Sequence, residues 1–560
     1  MHRESFIVIA LTGRTGSGCT TAAQVLKTTS FSDVEFPPPQ FPPAEVEERK
    51  DRIVHNWLRE HWRPFQVIQV SQVILLLTLC QNTEATFDFL SGLAPNINGD
   101  ALKRLLKENH EKCLGTQEVL KDLRAAENDE VTKASHFIRN ELPMVSATLK
   151  EILNTALDKA YTRAFQVLGD NVRRSGNPLD VGVNPTKLLS LPETISRIIK
   201  LHRLFNKING GGQNYFAIDA LRHPYEIRYL KERISPFYTI AVTTDENTRH
   251  QRLLQLNLRK EEIEELDDKE YPTEIKPPKK RPEGYDAFVS QNIQACLENA
   301  DIYISNEGTA QNRDTSHLVR QLCRYVCLMQ HPGIVTPTHI ERCMQVAFTA
   351  KINSGCISRQ VGAVVTDPSF SIKAVGWNDV PKGQISCLLR NTKIAATKGF
   401  DDVAYSPYER GDEFQKGLKK LKYFKAQEFI GGRNNNYCFK SIYNNIKGDR
   451  NQVHTRSLHA EENAFLQISK YGGQGVEGGC LFTTASPCEL CAKKAYQLGI
   501  KKIFYVDPYP GISNSHVLAN GSNQPDVILF TGSIGRAYHD LYQPIMPYKD
   551  ELSQIFVEKA

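Results

Sequence analysis

The chain alternates short, almost uniformly apolar runs with longer segments whose apolar positions recur at helical spacing. Phe6 to Leu11 is one such run, followed at once by a glycine-rich loop, Gly13 to Gly18, and a helical segment, Thr20 to Lys27. Tyr215 to Ile218, a helix over Tyr225 to Arg233, and Tyr238 to Val242 repeat the order. Uninterrupted apolar strands alternating with helices predict a parallel α/β sheet buried on both faces. From about Ala101 to Leu168 the pattern is helical and densely charged, which predicts a helical insertion.

Proline and turn residues punctuate this pattern. Pro37, Pro38, Pro39, Pro42 and Pro43 predict an exposed extended loop, and Gly176-Asn177-Pro178 marks a turn-rich stretch from Ser175 to Pro185. Asp267 to Pro282 is charged and proline-rich and reads either as a lid, spanning about 245–285, or as a plain solvated loop. Between Asn306 and Pro337 polar and turn residues surround one short helix, so the domain boundary is placed there: 1–325, then 330–560. In the second part a helix is expected from Pro337 to Ala350 with Thr336 as its cap, then strands Val361 to Thr366 and Lys373 to Gly376. A long insertion rich in Lys, Asn and Gly covers Leu388 to Thr455.

Composition narrows the class. With 560 residues, 40% hydrophobic and 24% charged, the chain has material for more than one globular core. No stretch is long and apolar enough to cross a bilayer, Val67 to Cys80 being interrupted by Gln69, Ser71 and Gln72, so the expected location is the cytoplasm. Thirteen cysteines without a secretory signal predict free thiols and metal ligands rather than a disulfide framework. The formal charge of +6 is mild and suits anionic small molecules without arguing for nucleic acid.

Candidate chemistry concentrates in two segments, His459-Ala-Glu-Glu462 and Pro487-Cys-Glu-Leu-Cys491. Leu481 to Thr484 reads as a strand, Pro487 to Leu498 as a helix closed by Gly499, and Ile503 to Val506 as a second strand, a βαβ unit with the metal loop at the C-terminal end of its first strand. Cys488 and Cys491, three apart in the first turn, share a face, and the helix dipole favours their thiolates. His459 and Glu461, two apart, can cooperate only at a helix start, with Glu461 to Ser469 as that helix. One imidazole and two thiolates leave a fourth zinc position for water, whose pKa zinc lowers to about 7. Glu461, close but not ligating, would move the protons: the inventory of a zinc deaminase acting on a nucleobase amino group. A structural zinc knuckle or redox Cys-x-x-Cys is the competing reading. Cys387, Cys438 and His454 form a second, weaker metal candidate.

These residues resemble the deoxycytidylate deaminases: His459-Ala-Glu-Glu-Asn-Ala464, Ser486-Pro-Cys-Glu-Leu-Cys-Ala-Lys493, Gly499-Ile-Lys-Lys-Ile-Phe-Tyr505, and upstream Ser358 to Val365 and Val375 to Gly383. The resemblance implies a three-layer α/β/α domain around a mixed five-stranded sheet, assembly as a homo-oligomer, and a nucleotide contact from Asn378. Arg359 is a candidate phosphate contact, with a surface salt bridge as its alternative.

At the other end of the chain, Gly13-Arg14-Thr15-Gly16-Ser17-Gly18-Cys19-Thr20 follows a strand and opens a helix, as phosphate loops do, but Cys19 stands where that pattern has lysine. The backbone N–H groups can still hold phosphate and Thr20 can approach Mg2+; the cation needed for phosphoryl transfer is missing. Phe216 to Arg222, ending its strand in Asp219, and the pair Arg249 and Arg252 resemble elements of nucleoside monophosphate kinases. The expectation is a kinase-like fold binding a nucleoside triphosphate with Mg2+ in a regulatory role.

The order of parts resembles the bacterial anti-phage dCTP deaminases, which implies conversion of dCTP, and often dCMP, to deoxyuridine nucleotides during infection. A regulatory inhibitor, protein or RNA, is not readable in any residue. Three alternatives compete: a deaminase acting on DNA or RNA, for which Lys416, Lys419, Lys420, Lys422 and Lys425 with Tyr423 and Phe424 are the one basic aromatic stretch; a nucleotide sensor with a secondary deaminase; and a bifunctional kinase and deaminase.

Overall fold

The computed structural model describes residues 5–559, apart from 40, 95, 213, 257, 271–288, 309–313, 398–400, 422–423, 425–430, 450, 473–474 and 509–510. The chain divides into two compact units, Met1–Thr336 with Arg536–Ala560, and Pro337–Gly535.

The first unit is built on parallel strands β1 (Phe6–Thr12), β2 (Gln66–Gln69), β3 (Asn214–Asp219), β4 (Phe237–Thr243) and β5 (Ile302–Ser305), in the order β5-β4-β1-β3-β2. β1 lies at the centre, Ile9 opposite Ala217 on one side and Tyr238 on the other. Ile7, Val8, Ile9, Ala10 and Leu11 have no exposed surface. Their uninterrupted apolar run is what a strand covered on both faces requires.

Helices α1 (Cys19–Lys27) and α2 (Val46–His61) follow β1. Between β2 and β3 come α3 (Val70–Leu79), α4 (Thr83–Leu93), α5 (Gly99–Lys121), α6 (Asn128–His136), α7 (Leu142–Ala156), α8 (Ala160–Ser175) and α9 (Ser190–Ile208). The helical insertion thus runs from Val70 to Ile208, beyond the expected 101–168. Its flanks were obscured because α3 is apolar on every side, which erases the helical period. α6 and α7 are joined by a π-helical turn, Phe137–Glu141.

After β3 come α10 (Pro224–Arg233), α11 (Glu246–Gln255), α12 (Lys260–Glu270) and α13 (Ser316–Gln330). The expected short helix before the boundary is therefore this long, mostly buried one. Of the proposed lid, about 245–285, residues 271–285 lie outside the described residues, and the part before them holds α11 and α12. Ala537 and Leu541 are buried in the same cluster as Leu322 and Val326 of α13, so the tail belongs to this unit rather than to a domain spanning 330–560.

The second unit carries β6 (Gly362–Thr366), β7 (Ile372–Trp377), β8 (Cys480–Ala485), β9 (Lys502–Asp507) and β10 (Asp526–Leu529) in the order β10-β9-β8-β6-β7. β6 runs antiparallel to β7 and β8, while β8, β9 and β10 are parallel: a mixed five-stranded sheet. α14 (His339–Ala350) precedes it, capped by Thr338 rather than Thr336, because Thr338 accepts from Glu341 N at 3.0 Å and its own N–H donates to the Glu341 carboxylate at 2.9 Å. α15 (Ala460–Tyr471) and α16 (Glu489–Gln497) cover the face of Ala363, Val365, Leu481 and Ile503. His339 of α14 stacks on Phe370, whose ring lies tilted at 54° to Phe482, and Phe482 stacks on Phe504.

The insertion 388–455 has its own small core of Phe414, Leu418, Tyr437 and Ile442. Fully buried Arg390 pairs there with Glu409, which also accepts from the Tyr437 hydroxyl at 2.7 Å. Among the described residues no helix is long and apolar enough to cross a membrane.

Candidate active site

The metal motif is assembled where α15 meets β7 and where β8 ends. A Cβ at Gly376 would collide with the Ala460 carbonyl oxygen and lie 2.6 Å from Ala464 N, so only glycine lets the start of α15 lie against β7. His459 is the N-cap of α15, in extended backbone (φ −73°, ψ 156°), and Glu461 falls in the first turn. That is the helix-start geometry that two residues so close in sequence require. On the other wall Cys488 is the N-cap of α16 and Cys491 its third residue, because the helix starts at Glu489, two residues later than the expected Pro487.

His459 Nδ1 lies 3.2 Å from Cys488 Sγ and 3.4 Å from Cys491 Sγ. All donor atoms of the trio fall within 4.8 Å of one another. An imidazole and two thiols so placed fit a zinc ion with one position left open. Thiols bind a divalent cation as thiolates, so metal binding here would displace the protons of Cys488 and Cys491.

Glu461 is buried, and burial pushes its carboxyl above the usual range. Its Oε1 accepts from Thr483 Oγ1 at 3.0 Å, a hydroxyl also 2.8 Å from the Ala485 carbonyl. Thr483 is a site residue that the motif did not reveal; the available signal was its place near the C-terminal end of the strand leading into the metal loop. Glu462 turns the other way, to Lys494.

The two expected substrate residues are held by their neighbours. The Asn378 side chain accepts from Val361 N at 2.7 Å and donates to the Arg359 carbonyl at 2.7 Å, fixing the irregular segment that leads into β6. Arg359 pairs with buried Asp507 at the end of β9. Cys387, Cys438 and His454 do not form a metal cluster among the described residues: Cys387 is a buried thiol and His454 lies against the Tyr443 ring, 4.3 Å between centroids. Of the basic stretch, Lys422, Tyr423 and Lys425 lie outside the described residues.

With this geometry in place, comparison with known proteins is informative for the second unit. The family described as "Cytidine and deoxycytidylate deaminase zinc-binding region" matches residues 337–507. This segment is a deaminase zinc-binding region. The deoxycytidylate deaminase of Enterobacteria phage T4 is 27% identical over 175 residues, 30% of this chain and 76% of the relative. ComE operon protein 2 of Bacillus subtilis (strain 168) is 43% identical over 54 residues, 10% of this chain and 28% of that one. The crystal structure of the dCMP deaminase from cyanophage S-TIM5 with dCMP and dUMP is 23% identical, covers 34% of this chain and 95% of its own, and gives a TM-score of 0.21.

The glycine loop of the first unit lies between β1 and α1 as expected, with Gly16 and Gly18 at φ 89° and 110°. A Cβ at Gly18 would collide with the side chain of Asn306, whose Nδ2 donates to the Ser17 carbonyl at 2.9 Å. Thr20 Oγ1 donates to Asp219 at 3.2 Å. Cys19 is pushed up to about 12 by burial and by the nearby Asp219 charge, so it is a neutral thiol.

The loop's anion-binding groups are already engaged. Thr15 N donates to Glu270 at 2.9 Å, the Thr15 hydroxyl donates to the same carboxylate, and Arg222 pairs with it at 2.6 Å. Arg14 pairs with Glu246 and with Asp267, the latter at 2.8 Å, while Arg249 Nη2 donates to both Asp267 carboxylate oxygens at 2.6 and 2.7 Å. Arg252 donates to the carbonyls of Gly16 and Asn306 at 3.3 and 3.0 Å. Arg249 and Arg252 thus face the loop rather than solvent, Arg249 being buried, but their partners are internal.

Proposed function

We propose that this protein is a zinc-dependent hydrolase that deaminates free deoxycytidine nucleotides, converting dCTP, and dCMP with it, to dUTP or dUMP and ammonia. The observation that carries the reading is the convergence of His459 Nδ1 with Cys488 and Cys491 beside buried Glu461. His459, Cys488 and Cys491 would hold the ion, which when bound would lower the pKa of a water to about 7. Glu461, aimed by Thr483, would take one proton from the attacking water and pass it to ring N3, then take the second from the hydroxyl on C4 and pass it to the departing amino group, so that it receives as many protons as it delivers. A C4–O bond forms as the C4–N bond breaks, so no redox partner is needed.

Two of the relatives matching this region, from phages T4 and T2, are by name deoxycytidylate deaminases, which supports free deoxycytidine nucleotides. Asn378 holds the segment beside the site, with a second amide N–H left for the nucleotide. Arg359 can reach a phosphate by releasing Asp507. The test is a panel of dCTP, dCMP, deoxycytidine, CTP and a cytosine-containing oligonucleotide. Deoxyuridine nucleotide from dCTP or dCMP is expected; product from none of the free compounds overturns the reading.

For the first unit the proposed role is kinase-like nucleotide sensing without phosphoryl transfer, with a nucleoside triphosphate at Gly13 to Thr20 and Mg2+ between Thr20 and Asp219. Cys19 in place of lysine and the Thr20–Asp219 contact support it, and Glu270 must leave Thr15 for the phosphates to enter. If Cys19→Lys and Thr20→Ala both leave deamination and its response to nucleotides unchanged, that role is wrong. In an infected bacterium the activity would lower dCTP; phage plating on cells carrying wild type or Glu461→Ala tests this, equal plating overturning it.

A further inference from the structure

The loop that carries Cys488 is held from a part of the chain that no motif marks. Between β9 and β10 the backbone makes a π-helical turn, Ser513–Leu518, entered through Ile512. Its buried residues are Ser513 and Leu518, five apart. On an α-helix of 3.6 residues per turn that spacing would point them to different sides. The i→i+5 bonding of a π-turn brings them onto one face, a distortion that recurs at functional sites. Leu518 enters the core formed by Leu481, Ile503, Ala492 and Ala495. Ser513 turns to the metal loop, where its hydroxyl donates to the Pro487 carbonyl at 2.7 Å in buried surroundings.

That carbonyl is an acceptor the helix leaves over. α16 starts at Glu489 with Cys488 as its N-cap, and Ala492 N donates to the Cys488 carbonyl at 2.8 Å. The carbonyl one residue earlier stands ahead of the N-cap, so in a buried loop it needs a partner from elsewhere. The Ser513 hydroxyl, 26 residues along the chain, is that partner.

The Pro487 carbonyl and the Cys488 N–H belong to one planar peptide unit, which turns only as a whole. Fixing its oxygen fixes the plane from which the Cys488 side chain departs. A second tie comes from the same turn: Ile512 N donates to the Glu489 carboxylate at 2.9 Å. Cys488 is thus bracketed, with the residue before it and the residue after it both bonded to Ile512-Ser513. Ser515 offers a contrast within the turn, being exposed and donating to the Ile512 carbonyl at 3.4 Å.

We propose that Ser513 is a positioning residue for the metal centre, holding Cys488 Sγ in register with His459 and Cys491 through the Pro487 peptide. The proposal rests on the zinc reading of those three side chains. Without the hydroxyl, the buried carbonyl finds a new partner only by turning the peptide, and the thiol turns with it. Hydrogen bonds that orient metal ligands in this way are worth about 10- to 100-fold in metal affinity or activity.

The test compares full-length wild type, Ser513→Ala, Ser513→Thr and Ser515→Ala. Three properties are measured: the rate of zinc release to the chelator 4-(2-pyridylazo)resorcinol, the visible spectrum with cobalt(II) in place of zinc, and kcat and KM for dCMP. Ser513→Ala should release zinc about tenfold faster or more, shift the cobalt bands, and lower kcat with KM within about twofold of wild type. Ser513→Thr, which keeps the hydroxyl, should lie closer to wild type than Ser513→Ala on each readout, and Ser515→Ala should match wild type. Thermal unfolding shows that each variant folds. Wild-type zinc release and an unchanged cobalt spectrum in Ser513→Ala, whatever its thermal stability, overturn the proposal, because the hydroxyl then serves packing alone. Equal acceleration in Ser515→Ala overturns it too, by tracing the effect to the turn as a whole. A wild-type chain that takes up neither ion sinks the zinc reading and this proposal with it, whereas ion-loaded wild type and Ser513→Ala that behave alike sink this proposal only.

Discussion

Two loops in this molecule share one design and differ in what their groups lack. Each sits at the C-terminal end of a central strand, β1 or β8, and leads into a helix, α1 or α16. At β8 an imidazole and two thiols converge on each other, with a buried carboxylate alongside. At β1 the groups that would hold an anion are already matched by the protein's own carboxylates, Glu270 on Thr15 and Arg222, Asp267 on Arg14 and Arg249. The loop after β8 gathers metal-ligating groups, whereas in the loop after β1 Thr15 N, Arg14, Arg222 and Arg249 are held by carboxylates of the same unit. Position at a strand end supplies the opportunity for chemistry, and the charge left uncompensated decides whether the site is open.

The comparison predicts opposite outcomes for substitution at the two loops. Cys488→Ala removes one of three donors, so zinc measured by atomic emission should drop to well below one equivalent and turnover should fall by about a thousandfold or more. Retention of both would break the assignment. At the other loop Glu270→Ala should lower unfolding free energy by about 2 kcal/mol, because Thr15 N and Arg222 lose their acceptor, while binding of inorganic triphosphate, measured by calorimetry, rises. Unchanged stability and unchanged triphosphate binding would show that the carboxylate does not occupy an anion site.

These two outcomes bear on how much could be read in the sequence. The metal site was legible because its residues are clustered in two short segments with fixed chemistry. The strands β1, β3, β4, β6, β7, β8 and β9 were legible as apolar runs bounded by turns. β2, β5 and β10 were not, since four residues are too few to show a period. Nor was the closure of the glycine loop: Asp267 and Glu270 lie far along the chain in a charged segment whose solvated appearance is indistinguishable from that of a carboxylate folded back onto arginines. Asn378 illustrates the remaining gap, since a motif names a residue but not which of its hydrogen bonds the backbone takes.

A smaller effect concerns pH and the first unit. Unfolded, His202 titrates near about 6.5; folded, burial and Arg139 hold it well below that. Protons are then taken up only by the unfolded chain, so its contribution to stability is intact above about pH 6.5 and lost as pH falls below it, by up to about 1.4 kcal/mol per pH unit. Chemical unfolding at pH 7.5 and 5.5 should show the loss, and His202→Asn should flatten it. An equal slope in that variant would place the acid sensitivity elsewhere. Smallest of all, Arg359→Ala should raise KM for dCTP about tenfold with kcat little changed, as expected when uniform binding is removed; a matching fall in kcat would instead assign Arg359 to holding Asp507 and the metal loop.

The most direct measurement of the central claim compares wild type and Glu461→Gln at equal bound zinc. Glutamine keeps the shape of the side chain beside Thr483 but cannot carry a proton between water and ammonia. The account predicts full zinc occupancy in both proteins and deoxyuridine nucleotide formation reduced by about 10^2 to 10^4 in the variant. Turnover by Glu461→Gln within a few-fold of wild type, with zinc equally bound, would contradict it.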